Sequence, residues 1–67
     1  MKVTIAELRA LAKRAGVRMY RHKVTGVYRI KWPWNEFRTS CNLRIGDIRI
    51  KVYYILKGII AEREGLL

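Results

Sequence analysis

The side chains best equipped for chemistry in this sequence are cations. Arg18, Arg21, Lys23, Arg29 and Lys31 recur over one short stretch with Tyr20 among them, and Arg9, Lys13 and Arg14 stand just before it. Guanidinium and ammonium groups in that density neutralise phosphates and release condensed counterions, a source of affinity that does not depend on base sequence. A tyrosine in their midst can lie against a sugar or stack on a base. The bland alternative for each cation is a solvated side chain on an exposed strand, where it also guards an edge against aggregation.

Catalysis finds less to work with. The five acids are Glu7, Glu36, Asp47, Glu62 and Glu64. Glu7 and Asp47 suit helix starts, Glu36 falls in a loop, and Glu62 and Glu64 share a final helical turn, so no pair is set up for acid–base work. Cys41 and His22 could serve as nucleophile and base, but nothing supplies a third group to orient them. One His and one Cys cannot build a zinc site within one chain. Gly16, Gly26, Gly46, Gly58 and Gly65 stand singly, which leaves no phosphate-cradling glycine motif. The expectation is a binding protein with no cofactor, not an enzyme.

The charge is unevenly placed. The chain of 67 residues carries a net charge of +10. Met1–Trp34 holds nine basic residues and one acid, whereas Asn35–Leu67 holds six and four. A concentration of like charge in half a small domain is an electrostatic footprint, and a thermophile-style surface would bring more glutamate with the lysine. The chain is 51% hydrophobic, too apolar for a disordered basic tail. A chain this short forms one domain, 1–67, with an expected folded surface of roughly 4,400 Å². Its longest apolar run, Val52–Leu56, is far short of a membrane span. Glu7 and Arg9 come too early for a signal-peptide core. With Cys41 the only cysteine, a cytoplasmic or otherwise intracellular home is expected.

Three segments must position these groups. Thr4 is a good N-cap with Glu7 three residues on, and Ile5, Leu8, Leu11, Ala12 and Ala15 form an apolar stripe at helical spacing. Lys13 and Arg14 suit the negative end of that helix, and Gly16 can stop it. Val17–Trp32 reads as a β-hairpin turning through Lys23–Gly26. If Val17, Met19, Tyr28, Ile30 and Trp32 face the helix, then Arg18, Tyr20, His22, Arg29 and Lys31 face away; a one-residue slip would exchange the two sets.

Pro33 ends the hairpin, and Trp34–Ser40 reads as a loop. Trp34, released from the strand parity of Trp32, is the better exposed of the two tryptophans and a candidate contact. The last segment satisfies two patterns. Leu43–Tyr54 alternates around Gly46–Asp47 as a second hairpin would. A helix from about Ile48 to Arg63, capped by Asp47 and followed by Gly65, explains Ile55–Ile60 as well and is preferred. The fold class is therefore α+β, in the order αββα.

The run Ala6–Val17 resembles the opening helix of some helix-turn-helix regulators and of the small helical modules at the front of transcription terminators. Both continue with a second helix after the glycine, where this chain has the strand-like Val17–His22, so no binding residues are carried over.

The expected function is binding of nucleic acid, double-stranded DNA before RNA, through the basic ribbon and the first helix. Arg9, Lys13, Arg14, Arg18, Tyr20, Arg21, Lys23, Arg29, Lys31 and Trp34 are the candidate contacts, with Arg44, Lys57 and Arg63 expected to matter less. The alternative is an adaptor or inhibitor docking on an acidic protein, with the apolar C-terminal segment as anchor. That segment could equally join two copies into a homodimer through residues 48–60.

Overall fold

The first helix, α1 (Ile5–Ala15), begins and ends on the signals its sequence carries. The Thr4 hydroxyl accepts the Glu7 amide at 3.1 Å, satisfying one of the orphan donors of the first turn. Gly16 closes the helix at φ 71°, its amide turned back to the Ala12 and Lys13 carbonyls. A side chain there would enter the left-handed region and also meet the Arg63 guanidinium, which lies against Gly16. Gly16→Ala should cost about 1–2 kcal/mol and lower the melting temperature by about 5–15 °C, as read by circular dichroism.

Three strands follow in this computed structural model, which describes residues 1–65. They are β1 (Arg18–Arg21), β2 (Tyr28–Lys31) and β3 (Thr39–Cys41), in the sheet order β1-β2-β3 with both pairings antiparallel. The hairpin turn is held by the His22 ring. Its Nδ1 accepts the Val24 and Thr25 amides at 3.3 and 3.4 Å, and Gly26 takes φ 73°. Strand β3 corrects the expectation that Trp34–Ser40 is all loop. Its three residues, Thr-Ser-Cys, carry no apolar alternation, yet they pair with β2 as Thr39–Ile30, Ser40–Arg29 and Cys41–Tyr28 and satisfy its second edge.

The chain then enters α2 (Gly46–Arg63), which removes the alternative of a second hairpin around Gly46–Asp47. The helix starts earlier than expected and without a side-chain cap. Ile45 occupies the cap position, and Asp47 sits inside the first turn, where its charge still suits the helix dipole. Arg49 secures this entrance: Nε donates to the Val3 carbonyl at 2.7 Å and Nη1 to the Leu43 carbonyl at 2.6 Å. The N-terminal segment is thereby tied to the start of α2.

Both helices lie on one face of the sheet. Leu8, Ala12 and Ala15 of α1, Val52, Leu56 and Ile60 of α2, and Val17, Tyr28, Ile30 and Trp32 of the hairpin form one buried cluster with Val3 and Leu43. Among the described residues no element covers the other face. The molecule is consequently thin, 38 × 30 × 16 Å, and its accessible surface of 5017 Å² exceeds the size-based expectation. No helix among the described residues is long and apolar enough to cross a membrane.

Candidate nucleic-acid interface

Register decides which cations share a surface. Arg18 lies opposite Lys31, and Tyr20 opposite Arg29, which in turn lies opposite Ser40. Directly paired residues of an antiparallel sheet point to the same side, so Arg18, Tyr20, Arg29, Lys31 and Ser40 share one face. Met19–Ile30 and Arg21–Tyr28 are the alternate pairs, on the side where Tyr28 and Ile30 are buried under the helices. The outward face is thus the uncovered one. Arg38, just before β3, adds to it, its guanidinium 5.3 Å from the centre of the Tyr20 ring.

The first helix brings its own cations to the edge of this face. Arg9, Lys13, Arg18 and Tyr20 line a single open groove of about 390 Å³, floored by Ala12, Val17 and Met19. Arg9 is held in place by Tyr28: its Nη2 donates to the Tyr28 hydroxyl at 3.0 Å, and the guanidinium lies 5.5 Å from the ring centre. Strands β1 to β3 contain no acid. Among the described residues the one ion pair is Arg14–Glu64, so Arg9, Lys13, Arg18 and Arg29 carry charge that no neighbouring carboxylate cancels.

Other sequence candidates are placed differently. Arg14 turns to the far end of α2, where its Nη2 donates to both Glu64 oxygens at 2.6 Å; at 55% side-chain exposure that pair adds little stability, yet it occupies the guanidinium. The Lys31 ammonium donates to the Trp32 and Asn35 carbonyls, pinning the turn after β2. Arg21 lies on the helix side of the sheet, near Gly26, and Lys23 is exposed in the hairpin turn. Trp34 is 65% exposed and stacks on Trp32, with rings parallel and centroids 5.5 Å apart. It lines a separate groove with Gly16, Ile59 and Arg63 that shares no residue with the basic one.

Cys41 lies on β3 opposite Tyr28, and His22 stands at the hairpin turn between β1 and β2. The His22 Nδ1 is engaged by the turn amides. The Cys41 thiol is half-buried, and that burial pushes its pKa up against the weaker opposing pull of Lys51, which disfavours the thiolate a nucleophile needs. Two residues escaped the sequence reading. Arg38 stood in a segment read as loop, where parity has no meaning. Arg44 was set aside as a distant cation, although it shares a cleft with Arg21. No protein-family model, curated protein or solved structure matches this chain, and the geometry alone bears on its role.

Proposed function

We propose that the protein is a nucleic-acid-binding module, directed to double-stranded DNA before RNA, that contacts the phosphate backbone or groove through the uncovered sheet face and the adjoining edge of α1. The observation that carries this reading is the convergence of Arg9 and Lys13 from α1 with Arg18 and Tyr20 from β1 on one groove, beside a face bearing Arg29 and no acid. Strand spacing near 4.8 Å makes the three-stranded face about 10 Å across between outer strands, comparable with the roughly 12 Å width of a B-DNA major groove. Backbone contacts dominate because cations outnumber base-reading amides there; Ser40 and Tyr20 are the polar groups able to touch sugar or base.

The test is a titration of labelled duplex at several salt concentrations. With about six phosphates engaged, affinity falls on the order of 10³-fold between about 50 and 200 mM salt. Salt-independent binding, or no binding at low salt, rejects the reading.

A second reading draws on a different observation. Trp32, Cys41, Ile48, Val52 and Ile55 line an apolar groove of about 270 Å³ between β3 and α2, and Tyr54 is 62% exposed nearby on the helix. That groove favours an adaptor or inhibitor seated on an acidic protein, or a homodimer through residues 48–60. Partners that survive nuclease treatment in a pull-down support the adaptor, and a doubled mass in sedimentation equilibrium supports the dimer.

A further inference from the structure

We infer that a second basic concavity, at the opposite end of α1 from the Lys13 groove, clamps one internal phosphate of the bound nucleic-acid strand; the inference rests on the nucleic-acid reading above. The cleft measures about 170 Å³ and is lined by Ile5, Arg21, Gly26, Tyr28, Leu43 and Arg44. Its two guanidinium groups come from elements far apart in the chain, the end of β1 and the entrance to α2. Among the described residues neither is in an ion pair and no carboxylate lines the cleft. Two like charges facing one small concavity without a counter-charge favour an anion, and the planar donor fork of arginine matches the oxygens of a phosphate.

Hydrogen bonds hold the backbone on the Arg44 wall. Asn42 Oδ1 accepts the Arg44 amide at 3.2 Å, and Arg49 holds the Leu43 carbonyl at 2.6 Å, so the backbone carrying Arg44 is pinned on both sides. On the other wall, the Arg21 guanidinium lies beside Gly26, at ordinary van der Waals distance (3.5 Å) from where a Cβ would stand. The volume is below the 300 Å³ or so of ordinary small-molecule pockets, which suits a single tetrahedral oxyanion better than a base. Tyr28 supplies the third polar group. Its hydroxyl oxygen accepts from Arg9, which leaves the hydroxyl hydrogen to donate to a phosphate oxygen.

Tyr28 also joins the cleft to the main groove, because the Arg9 that bonds its hydroxyl is a wall of that groove. A strand that follows the Lys13–Arg18 groove as far as Arg9 has thereby reached the Tyr28 wall of the second cleft.

The experiment compares wild type, the double variant Arg21→Gln/Arg44→Gln and the charge-matched Lys51→Gln/Lys57→Gln, whose lysines are exposed on α2. Each is titrated with an unphosphorylated duplex of about 20 base pairs across about 50–200 mM salt. Loss of a clamped phosphate flattens the slope of log K against log salt by about 0.9 and weakens binding roughly tenfold in the arginine variant, with a clearly smaller change in the lysine variant. Wild-type binding with equal changes in the two variants overturns the clamp alone. Failure of wild type to bind removes the underlying reading, and the clamp with it. As a second measurement, the Arg21 and Arg44 Nε–H resonances of wild type shift on adding duplex; unmoved resonances in the bound protein also overturn the clamp.

Discussion

Reversing Arg18 and Arg29 together to glutamate should weaken duplex binding by about 10²- to 10³-fold near 100 mM salt. Each lost phosphate contact forfeits the release of about 0.9 counterion, worth roughly tenfold in affinity near 100 mM salt, and each new carboxylate adds repulsion to a polyanion at close range. The two arginines occupy the uncovered face in adjacent rows, Arg18 opposite Lys31 and Arg29 between Tyr20 and Ser40. Reversal leaves the core untouched, and circular dichroism should report an intact fold. Reversing Lys51 and Lys57 makes the same change in net charge on the exposed side of α2 and should cost clearly less. Arg44 and Arg63 are poor comparisons, since Arg44 lines the second cleft and Arg63 packs on the helix-stopping Gly16. Equal losses in the two double variants, measured by fluorescence anisotropy, would show that net charge rather than a particular face governs affinity.

The largest stability effect is expected at Leu56→Ala. Leu56 is 0% exposed, at the centre of the Val52–Leu56–Ile60 stripe that packs α2 into the common core. Truncating such a leucine costs about 2–5 kcal/mol, the lost transfer energy plus the cavity left behind. A chain of 67 residues has only about 3–10 kcal/mol in hand, so the variant sits near its unfolding threshold. Its melting temperature should fall by about 10–30 °C. A fall below about 5 °C in thermal denaturation would mean that α2 is not integral to the core.

The parts of this fold that were readable from sequence are those where one local signal had one physical meaning. Thr4, Glu7 and Gly16 bound a helix because capping chemistry is local, and the structure uses Thr4 and Gly16 in those roles. The hairpin faces followed from alternation, since only one register buries Tyr28, Ile30 and Trp32 together. Strand β3 was hidden because Thr39, Ser40 and Cys41 carry no apolar alternation, and the pairing with β2 that defines it is not local. The start of α2 was misplaced for a related reason. Packing and the Arg49 tether fix it, so the helix opens at Gly46 behind an uncapped Ile45.

Legibility of the interface follows the same division. Arg18, Tyr20, Arg29 and Lys31 were grouped by strand parity, and the register keeps them on one face. What parity cannot reveal is a partner from elsewhere in the chain. The Arg14–Glu64 pair spans nearly the whole sequence, the Lys31 ammonium is drawn to carbonyls of the next turn, and Arg44 meets Arg21 only after both α2 and the sheet are in place. Trp34 likewise acquires its stacking neighbour and its separate groove from tertiary packing.

Amide chemical-shift mapping of isotope-labelled protein with a short duplex tests most directly whether cations of the first helix and the sheet form one polyanion-binding surface. The account predicts that the moving signals concentrate at Arg9, Lys13, Arg18, Tyr20 and Arg29 and fade as salt is raised. Signals that move mainly within residues 48–60, or that do not move at low salt, would contradict it.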